Sequence, residues 1–176
     1  MTTCNVLLLV VAMAAVVGIA YGMTRWSLRK YDDLRAMVAE SDAAFQRVAS
    51  ALGLRFIAPD GYEHPIVGTI PRFGVAVGTL EGVSVELGVG FDSDGSFART
   101  ELSAKLAPGS RTSRAVDANA ADERYYLEYE GSRLTLCPVA KKRGSSQFIV
   151  YQLETDAALL IELSRELVRI VRNAAG

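Results

Sequence analysis

The hydrophobic and polar positions of the chain change their pattern twice, and the first pattern is a continuous apolar run. No charged side chain occurs in the first 24 residues, and Val6 to Met23 contains only Gly18 and Gly22 outside the hydrophobic set. Eighteen residues of helix span about 27 Å, close to the hydrocarbon thickness of a bilayer. Tyr21 and Trp26 follow at the edge where aromatic rings prefer the headgroup layer. The run predicts a retained single-pass transmembrane helix.

Basic residues follow this run immediately. The positive-inside rule places them in the cytoplasm and the N-terminus outside, which predicts a protein of the cytoplasmic (inner) membrane with a cytoplasmic soluble domain. A cleavable signal peptide is one alternative, because Gly18 to Ala20 offers a small-x-small site, but residues 1–5 lack a basic n-region. A buried core helix is the other alternative. The basic residues are Arg25, Arg29, Lys30 and Arg35.

The second pattern is helical and amphipathic. Ser27 to Leu52 contains neither proline nor glycine, and Gly53 is suited to the position after a helix end. Its apolar spacing fits either a coiled coil for self-association through Tyr31 to Leu52 or a helix packed on its own domain. The heptad seam places Tyr31, Val38, Phe45 and Leu52 at a, and Leu34, Ser41 and Val48 at d.

The third pattern has a period of two. Turns at Glu81-Gly82 and Asp94-Gly95 predict a three-stranded meander, and both turns place the same apolar residues on one face. The opposite face collects Ser84, Glu86, Arg99, Glu101, Ser103 and Lys105. The first turn pairs Leu80–Val83, Gly78–Val85, Ala76–Leu87 and Gly74–Val89, and the second pairs Val89–Thr100, Leu87–Leu102, Val85–Ala104 and Val83–Leu106.

Further strands and a final helix complete the predicted domain. A type II′ turn at Gly131-Ser132 pairs Glu130–Arg133, Tyr129–Leu134 and Leu127–Leu136. A loop covers Pro108 to Asp122, and short strands are expected at Leu54–Ile57 and Ile66–Ile70. A strand from Phe148 to Leu153 follows the loop from Lys141 to Ser146. Thr155 or Asp156 caps a last helix that ends near Arg172 and has an apolar stripe.

The predicted fold class is α+β. We expect an N-terminal single transmembrane helix, a juxtamembrane helix, and a mostly antiparallel curved sheet, a meander of seven or eight strands, covered by a C-terminal helix. The expected divisions are a transmembrane anchor over 1–24, a juxtamembrane amphipathic helix over 25–53 and a soluble α+β domain over 54–176.

Composition narrows the function classes. The net charge of −1 over 176 residues argues against a nucleic-acid binder, whose domain would be clearly basic. Cys4 and Cys137 are too few for a disulfide scaffold, and a single histidine, His64, excludes a multi-histidine metal site. The excess of arginine over lysine, with abundant alanine, valine and glycine, is typical of a high-GC bacterial genome.

Each feature that resembles a reactive or ligand-binding site has a simpler structural interpretation. Gly90 to Glu101 partly fits a calcium loop, with Asp92, Asp94, Gly95 and Glu101 at positions 3, 5, 6 and 12, but position 1 is Gly90 and an Asp-Gly hairpin explains the segment. His64 lies in a predicted loop and no nucleophile elbow is present. Cys137, on the polar side of its strand before Pro138, fits a structural thiol.

Two groups of side chains remain, and both fit structural roles. Lys141, Lys142 and Arg143 suit either an anionic headgroup or a solvated loop. Tyr125, Tyr126 and Tyr129 are ordinary strand residues. We assign no catalytic, cofactor-binding or metal-ligating residue and expect no cofactor.

Three functions remain open. The first is a membrane-anchored, non-enzymatic interaction or scaffold module, with the membrane bound through Val6 to Met23. The second is a domain that binds a lipid or small apolar ligand, which requires an apolar cavity of several hundred Å³. The third is a hydrolase using carboxylates such as Asp92, Asp94 or Glu101, which would have to converge in a cleft.

Overall fold

The computed structural model describes residues 3–64, 68–93, 96–107, 123–139, 142–146 and 149–175. Two helices enclose the strands along the chain, α1 (Thr3–Leu52) and α2 (Ala157–Ala175). Between them lie β1 (Arg55–Ile57), β2 (Tyr62–His64), β3 (Gly68–Ile70), β4 (Val75–Leu80), β5 (Val83–Phe91), β6 (Phe97–Lys105), β7 (Tyr125–Glu130), β8 (Arg133–Pro138), β9 (Lys142–Ser146) and β10 (Ile149–Leu153). The α+β class is confirmed.

Helix α1 joins the predicted span and the predicted juxtamembrane helix without a break. Its 50 residues extend about 75 Å, and residues 11–26 are exposed. By length and composition this helix is apolar enough to cross a membrane, and its apolar window is not buried by the described chain. Its end is closed as predicted, because Gly53 has φ 68° and the Leu54 N–H donates to the Ala49 carbonyl at 2.8 Å.

The second half of α1 is part of the core. The seam residues Leu34, Val38, Phe45 and Val48 are buried against the sheet and α2, so the seam packs within the chain. This is one of the two alternatives that the heptad spacing left open. Self-association through Tyr31 to Leu52 stays a prediction.

The main sheet is open and has eight strands, which agrees with the seven or eight strands predicted from the sequence. From one edge the order is β1, β4, β5 and β6, and every pair among these four is antiparallel. Beyond β6 the sheet divides, with β8 and then β7 along one half of β6, and β10 and then β9 along the other half. Strands β2 and β3 form a separate two-stranded sheet.

The predicted simple meander is therefore wrong, because the sheet divides at β6 and β10 lies parallel to β6. The loop predicted from Lys141 to Ser146 is also wrong over Lys142 to Ser146, which form β9 and pair with β10. This pairing has a physical reason, because β10 would otherwise leave one row of backbone groups without strand partners. Lys141, Phe148 and the predicted loop over 108–122 lie outside the described residues.

The predicted hairpin registers are confirmed. Glu81 and Gly82 both have positive φ, 50° and 84°, as a type I′ turn requires, and Gly131 has φ 59°. The outermost predicted pairs, Gly74–Val89 and Val83–Leu106, lie beyond the paired segments, and Asp94 and Gly95 lie outside the described residues. The confirmed pairs include Gly78–Val85, Ala76–Leu87, Leu87–Leu102, Val89–Thr100, Tyr129–Leu134 and Leu127–Leu136.

The two helices cover one face of the sheet, which we call the inner face. Helix α2 begins at the predicted cap, where Asp156 Oδ1 accepts the N–H groups of Ala158 at 2.9 Å and Leu159 at 3.3 Å. Its apolar stripe packs on the inner face with Phe45, and Asp42 of α1 accepts the N–H of Gly74 at 2.8 Å. The buried stripe is Leu160, Leu163, Leu167, Val168, Ile170 and Val171.

Ser41 is the one polar residue in the α1 seam, and it is fully buried. Within the described part of the chain its hydroxyl has no hydrogen-bond partner, and a buried unsatisfied hydroxyl costs about 1–3 kcal/mol. We therefore expect Ser41→Ala to raise the free energy of unfolding by about 1 kcal/mol. Chemical denaturation of the full chain in detergent measures this, with the exposed Ser50→Ala as a control for helix propensity. A loss of stability in Ser41→Ala beyond that of the control would contradict the expectation.

Candidate functional site

The outer face of the sheet, opposite α1 and α2, carries a group of reactive and charged side chains at the point where the sheet divides. Alternation along each strand places them on this face. We call the group the Arg99 cluster. It consists of Arg99 and Glu101 on β6, Tyr126 and Glu128 on β7, and Cys137 on β8.

Pro138 explains why the sheet divides at this point. Pairing of β8 with β6 ends at Leu136. The N–H of Val139 points to β7, where it donates to the Arg124 carbonyl at 2.8 Å, so strand alternation directs the proline nitrogen towards β6. That nitrogen carries no hydrogen and cannot extend the ladder. The remaining half of β6 is thereby left to β10.

A side chain of β6 secures the other branch of the sheet. The buried Thr100 hydroxyl accepts the N–H of Glu154 at 2.9 Å and lies 3.4 Å from the Glu154 carbonyl, to which it donates. Glu154 directly follows β10, so this contact attaches the end of β10 to β6. The Arg99 cluster therefore lies between two fixed branches.

Arg99 is the centre of the cluster. Its Nε donates to Glu101 Oε1 at 3.0 Å, one terminal nitrogen donates to Glu128, and the other donates to the Tyr126 hydroxyl at 2.8 Å. The guanidinium carbon lies 5.5 Å from the centre of the Tyr126 ring. Burial lowers the pKa of Arg99, but hydrogen bonds to Glu128 and Glu101 and nearby charges outweigh it, so the pKa is raised overall. The permanently charged guanidinium of Arg99 thus forms ion pairs with two carboxylates, those of Glu101 and Glu128.

Cys137 lies beneath these charged groups and is fully buried. Burial raises the pKa of its thiol to about 12, the negative charges of Glu128 and Glu101 act in the same direction, and Arg99 opposes them. The thiol is therefore protonated near neutral pH and is a poor nucleophile. Its position on the polar side of β8 is as predicted, whereas its electrostatic interaction with Arg99 was not foreseen.

The buried thiol makes the free energy of unfolding depend on pH in the alkaline range. Because its folded pKa is raised from 9.0 to about 12, its contribution is fully present below pH 9 and is lost as the pH rises towards 12. We expect the free energy of unfolding of the full chain to fall by at most about 1.4 kcal/mol per pH unit from this group. Denaturation between pH 8 and 10 tests this.

Cys137→Ala is the control for that measurement. The difference in slope between the native chain and this variant isolates the thiol from the tyrosines, among which burial raises the pKa of both Tyr126 and Tyr151. Identical slopes in the two proteins would show that the thiol contributes nothing.

The cluster contains groups that could hold a metal ion. Ligand atoms of Glu101, Glu128 and Cys137 all lie within 4.8 Å of one another. However, the Arg99 guanidinium binds both carboxylates and takes the place that a cation would need, while the thiol is protonated. The arrangement is that of an ion-pair network with Arg99 as its cation.

Gly90 is necessary for the position of Glu101. A Cβ atom at Gly90 would lie 2.1 Å from the Glu101 carboxyl carbon and 2.2 Å from both of its oxygens. The absence of a side chain at Gly90 thus leaves room for the Glu101 carboxylate, which pairs with Arg99. Gly90, which the calcium interpretation placed at position 1, has this packing role instead.

The carboxylates of the calcium interpretation lie apart. Asp92 closes the β5–β6 turn, where Oδ1 accepts the N–H of Phe97 at 3.0 Å and Oδ2 accepts the hydroxyl of Ser96 at 3.2 Å. Glu101 pairs with Gly88, which lies four residues before Asp92, or about 13 Å away along the strand. Glu101 instead lies near Glu128, because Arg99 donates hydrogen bonds to both carboxylates.

The remaining candidates take other positions. The loop predicted at His64 is wrong, because His64 is the last residue of β2 and pairs with Gly68. The side chain of His64 lies outside the described part, as do those of Lys142 and Arg143 in β9. The three tyrosines separate, because Tyr126 joins the Arg99 cluster, Tyr129 is exposed, and Tyr125 is buried with its hydroxyl 3.3 Å from Glu166.

Comparison with known proteins adds no functional assignment. No protein-family model, no curated protein and no solved structure matches the chain.

Proposed function

We propose that the protein is a membrane-anchored, non-enzymatic interaction or scaffold module whose folded domain lies in the cytoplasm. The main support for the proposal is that one helix, α1, contains both an exposed apolar segment and a segment buried in the domain core. Residues 11–26 are largely apolar and are exposed, whereas the second half of α1 contributes buried residues to the domain core. An apolar helix surface of this size favours lipid, so the shared helix would hold the domain at a fixed place on the membrane.

The stretch between the two halves of α1 supports a rigid connection. It is helical throughout and spans residues 27–33, about 10 Å of helix. Lys30 lies 5.9 Å from the centre of the Trp26 ring, and Arg35 pairs with Asp32 at 2.9 Å. These contacts link successive turns of the helix. Domain and anchor would then move as one body.

The outer face of the sheet is the surface that we propose for a partner. The inner face is already covered by α1 and α2, whereas Lys105, Glu128 and Arg133 are exposed on the outer face. Arg133 contacts Ser103 at 2.7 Å and Glu86 at 3.4 Å, which extends the polar network beyond the Arg99 cluster. Fixed charges of both signs favour a specific polar contact with a protein.

The character of the Arg99 cluster supports a non-enzymatic function. A guanidinium neutralises both carboxylates, and the thiol is protonated, so neither a free base nor a nucleophile is presented there. The described core also favours this function over a lipid-binding domain. Phe45, Leu87, Leu102 and Leu160 fill the space between sheet and helices, where an apolar ligand would have to lie.

Membrane topology is the first test. The full chain, expressed with a C-terminal reporter, should remain in the membrane after alkaline carbonate extraction. Protease added to inverted inner-membrane vesicles should remove the domain, whereas protease added to intact spheroplasts should leave it whole. Release by carbonate would refute anchoring, and digestion in spheroplasts would refute the cytoplasmic orientation.

A photo-crosslinking experiment tests the partner surface. A photoreactive residue at Lys105 on the outer face is expected to give a discrete adduct in native membranes. A matched residue at Glu162, exposed on α2, is the control. The adduct at position 105 should disappear in an Arg133→Glu variant that remains folded. Equal adducts at both positions, or adducts only between copies of the chain, would contradict the proposed surface.

A further inference from the structure

We infer that the end of the sheet carrying Phe91 and Val150 lies against the lipid headgroup layer of the membrane that holds α1. The inference rests on the proposed membrane anchoring and deepens it, since it names a second contact with the same membrane. Phe91 is the last residue of β5, and Val150 is near the start of β10. Both side chains are exposed, 53% and 44% respectively.

The packing of β6 on α1 determines which end of the sheet is nearer the apolar span. Ala98, near the start of β6, is buried with Leu34 and Val38. Leu102 and Ala104, farther along β6, belong to the cluster that contains Phe45. Strand β6 therefore runs along α1 in the same direction, and its first residues are closest to the span.

The two exposed side chains lie at that first end of β6. Phe91 pairs with Ala98 across the β5–β6 hairpin, and Val150 pairs with Phe97 on the parallel side. The Val150 N–H also donates to the Ser96 carbonyl at 2.8 Å, which holds the start of β10 level with the hairpin end. The two apolar groups thus occupy one end of the sheet, on the two strands that flank β6.

The distance from the span is short enough for contact. Leu34 lies ten residues, or about 15 Å, beyond Thr24, which follows the predicted span. Val89 packs against the cluster that contains Leu34 and Val38, and Phe91 lies two strand residues, about 7 Å, closer to the span. Phe91 would then lie about 8 Å from the hydrocarbon when it is placed by Val89, and about 15 Å when it is placed by its pair partner Ala98, which belongs to the same cluster. The headgroup layer is about 5–8 Å thick, and a helix tilt of about 20° towards the sheet brings the Phe91 ring closer to it.

Charge and hydrophobicity agree with this placement. Arg25, Arg29 and Lys30 lie on α1 between the span and the domain, where they favour an anionic leaflet. Phe side chains of interfacial segments are buried at the boundary of the headgroup layer, so the exposed Phe91 ring would lose contact with water there. Asp92, at the same end, has its carboxylate engaged by Phe97 and Ser96 within the turn.

Site-directed fluorescence quenching tests the inference. The full chain with Cys4→Ser is reconstituted in vesicles of phosphatidylethanolamine and phosphatidylglycerol that contain a headgroup spin-labelled lipid. Single cysteines at Phe91→Cys or Val150→Cys carry an environment-sensitive fluorophore. The native Cys137 does not compete for the label, because it is fully buried and protonated. We expect quenching at positions 91 and 150 to exceed that at a distant site by about twofold or more, given the thin quenching layer.

Two control positions separate the possible failures. Tyr129→Cys is the distant site, because Tyr129 is 50% exposed and pairs with Leu134, which lies opposite Ala104 near the other end of β6. Met23→Cys reports the span itself. Strong quenching at 23 with equal, weak quenching at 91, 150 and 129 would overturn this inference and leave the anchoring intact. Absence of quenching at 23 would overturn both.

Discussion

Phe45→Ala is expected to lower the free energy of unfolding by about 3–5 kcal/mol, because it removes a large, fully buried ring from the core. Phe45 lies in the second half of α1 and packs with residues of the sheet and α2. If this half of the helix were a solvated stalk outside the domain, the same change would cost less than about 0.5 kcal/mol. The variant thus measures how far α1 is part of the fold.

The measurement uses the full chain in mild detergent with urea as the denaturant. Near-ultraviolet circular dichroism of the tyrosines reports the domain, since buried Tyr125 and Tyr151 lie within it while the helical span in detergent contributes little. The exposed neighbour Gln46→Ala is the control on the same helix and should change stability by less than about 0.5 kcal/mol. Similar midpoints for both variants would refute the packing of α1 in the core.

Arg99→Met is expected to lower the free energy of unfolding by about 2 kcal/mol at neutral pH. The substitution keeps the aliphatic part of the side chain but removes hydrogen bonds to both carboxylates and to the Tyr126 hydroxyl. It also leaves Glu101 and Glu128 close together without their cation. The side chain of Arg99 is only 23% exposed, so solvent screens this loss incompletely.

A double-mutant cycle isolates the electrostatic part of that loss. Glu128→Gln in the Arg99→Met background removes one of the two opposed carboxylates and should restore part of the stability. Urea denaturation of the four proteins at pH 7 measures this coupling. Additive losses in the cycle would show that Arg99 and Glu128 do not interact.

The hairpins illustrate what local sequence could predict. Glu81-Gly82 and Gly131-Ser132 lie between alternating segments whose apolar residues coincide on one face in a single register only. A shift of one residue would expose that whole set, so the turn and the pattern specify the same pairs. The cap at Asp156 and the C′ glycine at Gly53 are equally local, because each satisfies backbone groups within one helical turn.

The Arg99 cluster illustrates what could not be predicted. Arg99, Glu128 and Cys137 belong to three strands, and the segment over 108–122 separates Arg99 from the other two along the chain. Their contact depends on the order of β6, β8 and β7 in the sheet, which no local pattern encodes. The proline at the end of β8 was a usable signal, since Pro138 cannot pair on the β6 side. The sequence did not show which strand would take the place thus left.

The sequence by itself determined most of the elements, the registers of the hairpins β4–β5, β5–β6 and β7–β8, and the presence of a long apolar helix, because each of these depends on neighbours within a few residues or across a tight turn. Only the tertiary structure decided three matters: that α1 continues from the apolar run into the core, that β10 lies parallel to β6, and that Arg99 neutralises two carboxylates above a buried thiol. These depend on contacts between distant segments, where burial of apolar surface and pairing of charges select one arrangement among several that the same local patterns allow.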